Sequence, residues 1–172
     1  MVLRRRLCLG GRALVPITTS VMDGQPMFYD KQLAEACLSE FREAIFHYKA
    51  FLVGYVLMPS HLHALIGFSE IECLSRFMQR FKSNSAVAVK NALMKRGTIL
   101  PGVEFQLWQK RFDDLIITSK EQFIIKLNYI HNNSVKNGLV SEAVQWENSS
   151  AADWISKMEG KLRIDKNFSW IK

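Results

Sequence analysis

His61 and His63 stand on either side of the bulky Leu62 in the stretch MPSHLHALIGF. On a strand successive side chains alternate faces, so both imidazoles point the same way, ~6–7 Å apart along the chain. Leu62 then turns to the opposite face, into a core. Two imidazoles so placed can grip one divalent metal ion, which would polarise a phosphate oxygen and help an attacking hydroxyl. Two histidines on a half-exposed strand can equally be plain polar surface. The context favours a site, because two of the 4 histidines of the chain fall in this one motif, directly after the strand-breaking Pro59.

A second constellation lies in SKEQFIIKLNYIHNNSVKNGLV. Phe123, Leu127 and Ile130 recur at helical spacing and form an expected core stripe. Tyr129 and Asn133 are four residues apart and stack on one helix face, offset from that stripe. A tyrosine hydroxyl can act as a nucleophile and form a covalent intermediate. Asn133 offers an amide oxygen as a third metal ligand beside the imidazoles. The plainer alternative is a tyrosine at a core edge, with the asparagines closing the helix; Asn132 is read as such a cap. His131 lies on a different face from Tyr129 and is not assigned to the metal.

Other candidates concern a polyanionic partner. Arg76, Arg80 and Ser83 recur at i, i+4, i+7 with Lys82 beside them, a polar stripe suited to phosphates or simply a solvated helix face. Arg111 in LWQKRF is a further candidate. Trp108 can stack on a base, although a strand tryptophan is more often core. Ser149-Ser150 before AADW reads as a helix N-cap, where an N-terminus can hold a phosphate.

These residues need elements to place them. Residues 14–20 read as a strand, with Pro16 suggesting an edge or a strand start. A helix follows Asp30, with Leu33, Cys37, Phe41 and Ile45 as its buried stripe. Residues 50–58 and 61–68 read as two strands broken at Pro59-Ser60. Ser69 and Glu72 fit a capping box opening a second helix that runs to about Arg96. A fourth strand is expected within 105–117, in its second half. Ser119 and Gln122 form another capping box for the tyrosine helix, which stops before Gly138. The order predicts an α+β fold with a ferredoxin-like βαββαβ antiparallel sheet and an additional tyrosine-bearing helix. Residues 1–13 are then an N-terminal extension, 14–140 the catalytic domain and 141–172 a C-terminal extension.

The bulk numbers fit a single domain and leave room for a polyanionic partner. The chain has 172 residues, 48% of them apolar, enough for one domain with a real core. A formal charge of +7 favours a polyanionic partner through counterion release. No run approaches the ~20 apolar residues of a membrane span. The start, MVLRRRLCLGG, lacks the apolar stretch of a secretory signal. Cys8, Cys37 and Cys73 form neither a disulfide framework nor a CxxC pair, which points to a reducing cytoplasm.

Taken together, VPITTSVMDGQPMF, GYVLMPSHLHALIGF, LSRFMQRFKSNSA, LWQKRFDDLIITS, YIHNNSVKNGLV and WENSSAADW resemble the HUH superfamily, named for histidine–bulky hydrophobic–histidine. The closer resemblance is to the IS200-like single-tyrosine transposases, among them the REP-associated tyrosine transposases. It covers roughly residues 14–154 in the family's order. It implies binding of a DNA hairpin beside single-stranded DNA and attack of the tyrosine on a phosphodiester. A 5′-phosphotyrosine link and a free 3′-OH result, and the 3′-OH later reverses the reaction at another junction. Carried over, Tyr129 is the nucleophile, His61 and His63 are metal ligands and Asn133 is the third. The ion is Mg²⁺ or Mn²⁺, with two nitrogen ligands suiting Mn²⁺. Lys82 matches a lysine of the family's helix pattern. Ser60 stands where the family commonly has Asn, and Ser134 where it commonly has Pro. Insertion-sequence relatives exchange the tyrosine helix in dimers while REP-associated relatives can work as monomers, so homodimer and monomer both stay open. A descendant that binds hairpins without cutting them, and a phosphodiesterase that uses water, are the rival readings.

Overall fold

The structure is a computed structural model, and it describes residues 10–156 and 158–169. Cys8 and most of the expected 1–13 extension lie outside these residues. Asp30 starts the first helix: its carboxylate accepts from the N–H groups of Gln32 (2.9 Å) and Leu33 (3.1 Å), two donors that an open helix end leaves orphaned. The elements in chain order are β1 (Ala13–Ser20), α1 (Lys31–His47), β2 (Phe51–Met58), β3 (His61–Phe68), α2 (Leu74–Lys95), β4 (Asp113–Asp114), α3 (Lys120–Lys136) and α4 (Ala151–Ile155). The strands form one antiparallel sheet in the order β2-β3-β1-β4. This is the expected ferredoxin-like plan with α3 added.

Alternation along the strands builds two cores. Val15, Ile17, Leu62, Ala64 and Ile66 face α1 and α2 and pack with Phe41, Phe77 and Phe81. Leu14, Val56 and Leu65 face the other way and pack under α3 with Leu127 and Ile130. The two-residue Pro59-Ser60 turn brings Met58 opposite His61, so both histidines sit at the start of β3.

Several local expectations are corrected. Ser69 and Glu72 form no capping box: a 3-10 turn at Ile71–Cys73 precedes α2, whose N-cap is Cys73 without a side-chain bond. The capping box at α3 is half made. Ser119 Oγ accepts from Gln122 N–H (3.2 Å), but the Gln122 amide oxygen takes the Thr118 N–H (2.9 Å), one residue early. Asn132 is exposed within α3 and caps nothing; the C-cap is Asn137, followed by Gly138 at φ +68.

The fourth strand shrinks to two residues, and Pro16 lies in an interior strand rather than at an edge. The two facts share a cause. Leu14 and Ser20 turn their carbonyls toward the 107–117 segment, accepting from Ile117 N–H (2.9 Å) and Gln109 N–H (2.8 Å). Pro16 lies an even number of residues from both, so its missing N–H falls on that same side, where no continuous ladder runs. The pairing of β1 with β3 passes Pro16 unbroken.

The chain after α3 covers the outer edge of β2. Leu57 N–H donates to Asn148 O (2.8 Å), and Ser150 N–H donates to Tyr55 O (2.9 Å). The indoles of Trp146 and Trp154 donate to Leu57 O (3.0 Å) and Val53 O (2.8 Å). Phe168 then lies flat on Gly67, where any Cβ would stand 2.5 Å from its ring.

Candidate active site

Register decides which groups meet. Thr18 on β1 lies opposite His63, and Ser20 opposite His61. The imidazole rings of His61 and His63 are 4.7 Å apart between centroids and nearly perpendicular. Each ring has a hydroxyl at its Nδ1: Thr18 Oγ1 at 2.8 Å from His63, Ser60 Oγ at 3.2 Å from His61. In the tautomer with the proton on Nδ1, each ring donates to its hydroxyl and leaves the Nε2 lone pair free, the arrangement a metal-binding histidine needs. Burial lowers the pKa of both rings. For His63 burial, then His61 and Lys126, bring it to about 4. Both rings are therefore neutral near pH 7 and able to act as ligands.

Helix α3 crosses this face and sets Tyr129 over the pair. The Tyr129 ring is 5.4 Å from that of His63, edge to face, within one chain. Tyr129 keeps 44% of its surface exposed. Glycine at 54 makes the approach possible, since a Cβ there would stand 2.8 Å from Leu127 Cδ1. Asn133, one turn on, is buried. Its Oδ1 accepts from Asn137 Nδ2 (2.9 Å), which leaves one lone pair of the amide oxygen. Among the described residues no group of three His, Cys, Asp or Glu side chains could hold a metal ion.

His131 is buried on the other side of α3, with Nε2 2.9 Å from Ser150 Oγ, and burial lowers its pKa to about 4. It faces β2, not the histidine pair.

The α2 stripe divides in two. Arg76, Arg80 and Ser83 are exposed. Lys82 is turned inward: its ammonium donates to the carbonyls of Gln109, Lys110 (3.2 Å) and Arg111 (3.5 Å), holding that loop against α2. The loop carries the exposed Lys110 and Arg111 past Ser20, the residue opposite His61. Trp108 is core, its indole donating to Ser85 Oγ (2.9 Å), so it is closed to a base. Ser149 and Ser150 are buried against β2, and neither forms an open phosphate-binding helix end.

Sequence reading passed over two groups. Thr18 is 45 residues from His63, and only the register joins them. Lys126 and Lys136 have their ammonium groups 5.9 and 5.5 Å from the Tyr129 ring centre. Their spacing to Tyr129, three and seven residues, was a legible signal.

Comparison with known proteins follows the same lines. The family model of IS200-like transposases matches residues 17–133. A solved structure described as a REP-associated tyrosine transposase bound to a REP hairpin superposes with a TM-score of 0.72 at 18% identity, covering 100% of this chain and 98% of that one. A candidate transposase from Deinococcus radiodurans R1 superposes with a TM-score of 0.52 at 19% identity, over 70% of this chain and 90% of its own. No curated protein matches the sequence.

Proposed function

The chain belongs to the family of IS200-like transposases, and on that premise we propose that it cuts and rejoins single-stranded DNA beside a hairpin, with Tyr129 as the nucleophile. The observation that carries this reading is the Tyr129 ring beside His63, 5.4 Å away and in the same chain. A tyrosine on a core edge needs no such neighbour.

The Tyr129 hydroxyl attacks the scissile phosphorus and the bond to the 3′ oxygen breaks. The tyrosine becomes joined to the 5′ phosphate, and its proton ends on the released 3′-OH. One phosphodiester replaces another, so no outside energy is needed and the step reverses at a second junction. His61 and His63, with Asn133, would hold a divalent ion, Mg²⁺ or Mn²⁺, for which the neutral rings and their free Nε2 atoms fit. That ion would supply Lewis-acid polarisation of a phosphate oxygen. Thr18 and Ser60 keep the two rings turned for that role. Arg76, Arg80, Ser83 and Arg111 are the exposed candidates for phosphates of the bound DNA, and Lys82 supports the loop that presents Arg111.

The catalytic unit of this reading is residues 14–140, flanked by the extensions 1–13 and 141–172. Tyr129 stands beside His63 of its own chain and the β2 edge is occupied by residues 148–150, which supports a monomer with its tyrosine in cis. Work on DNA in a reducing cytoplasm is part of this reading, in which Cys37 and Cys73 stay free thiols. Among those residues no helix is long and apolar enough to cross a membrane.

The test is a labelled hairpin with a single-stranded flank, taken from inverted repeats beside the gene, incubated with Mn²⁺. A covalent protein–DNA adduct is expected on a denaturing gel, and its loss in Tyr129→Phe and His61→Ala. Cleavage without an adduct would make the protein a hydrolase. Binding alone would make it a hairpin-binding protein.

A further inference from the structure

We propose that Lys126 and Lys136 form a cationic clamp that receives the phosphate placed at Tyr129. The inference rests on the tyrosine reading above and adds two residues to it.

The positions 126, 129, 133 and 136 follow a 3-4-3 spacing, which puts Lys126, Tyr129, Asn133 and Lys136 along one face of α3. That face meets the histidine pair. The two ammonium groups converge on the Tyr129 ring from either end, at 5.9 and 5.5 Å from its centre. Among the described residues neither lysine has a carboxylate partner; the ion pairs there belong to Lys31, Arg42, Arg96 and Lys161.

Two cations with no carboxylate partner, gathered on one tyrosine ring, gain only a weak contact with its face from the folded chain itself. Lys136 does sit in the last turn of α3, where a cation is favoured by the helix dipole. Lys126 lies mid-helix, where that argument fails. An anion shared by the two explains both. A phosphodiester lying against the Tyr129 hydroxyl carries one negative charge, and a second develops on its oxygens as the new bond forms. Cations already in place meet both without rearrangement.

Binding and chemistry can be read separately. In a Tyr129→Phe background with chelator, the affinity for the flanked hairpin is measured by fluorescence anisotropy against salt. Lys126→Gln and Lys136→Gln should each lower the slope of log affinity on log salt by about 0.7, the value for one phosphate contact on a single strand. The arginine variants should keep the slope, and Lys49→Gln, before β2 at the opposite end of the strand from Met58, should not change it. In the Tyr129 protein with Mn²⁺ and saturating DNA, the double glutamine variant should form adduct on the order of 10²-fold more slowly. Unchanged slopes, or an equal change in Lys49→Gln, would overturn the clamp. A wild-type protein that forms no adduct would instead overturn the cleavage reading, and the slopes would still judge the lysines.

Discussion

A buried imidazole with no anionic partner is held neutral, because charging it costs the hydration it has lost. His63 and His131 are both in that state, each brought to about 4 from 6.5. Below about pH 6.5 the unfolded chain binds more protons than the folded one. Stability is therefore full above that pH and falls as the pH drops toward 4. A series of melting temperatures from pH 8 to pH 4 should show this decline, and His131→Asn should flatten it. An equal midpoint at both ends would contradict the burial. At the same scale, Thr18→Val keeps the volume and removes the Nδ1 partner of His63. Losing such a support typically costs 10–100-fold in metal affinity, roughly. Mn²⁺ titration should show a loss of that size with little change in melting temperature.

At the scale of elements, α3 is the part whose position sets Tyr129 beside His63. Its first turn is held by Ser119 Oγ on Gln122 N–H. Ser119→Ala should cost about 1 kcal/mol and show as faster amide exchange at residues 120–123, with the Tyr129 turn less affected. Helix α2 carries two kinds of cation. Arg80 is exposed on its solvent face, whereas Lys82 holds the 109–111 carbonyls. Arg80→Ala should weaken DNA binding across sequences without lowering the melting temperature. Lys82→Ala should lower the melting temperature, because three carbonyls lose their shared donor. Equal melting losses in both variants would refute this division.

For the molecule as a whole, Ser150 ties three parts together. Its Oγ accepts from Tyr55 N–H on β2 (2.9 Å) and lies 2.9 Å from His131 Nε2 on α3. Residues 148–150 meanwhile pair with the β2 edge, an edge that would otherwise be open to another chain. Ser150→Ala leaves a buried backbone donor without a partner and should cost about 1–3 kcal/mol, measured by denaturant unfolding. The same tie loosens the seat of α3, so adduct formation should fall although Ser150 touches no substrate.

The sequence by itself determined the architecture and singled out the candidate residues of the site. Helical and strand periodicities are local, so the element order, the strand ends at Met58 and Phe68 and the face shared by His61 and His63 were all legible. The Tyr129–Asn133 face was legible for the same reason. The length of β4 was not, because it depends on what β1 offers across the sheet, and Pro16 withholds a donor on that side. Nor were the buried positions of Ser149 and Ser150, which depend on segments far away in the chain. Only the tertiary structure joined Tyr129 to His63, 66 positions earlier by subtraction of 63 from 129. Helix spacing orients a side chain on its own cylinder, but where that cylinder lies on a sheet is set by packing. Here Leu127 against Gly54, with Ile130 in the core beneath α3, decided that the tyrosine stands over the histidines.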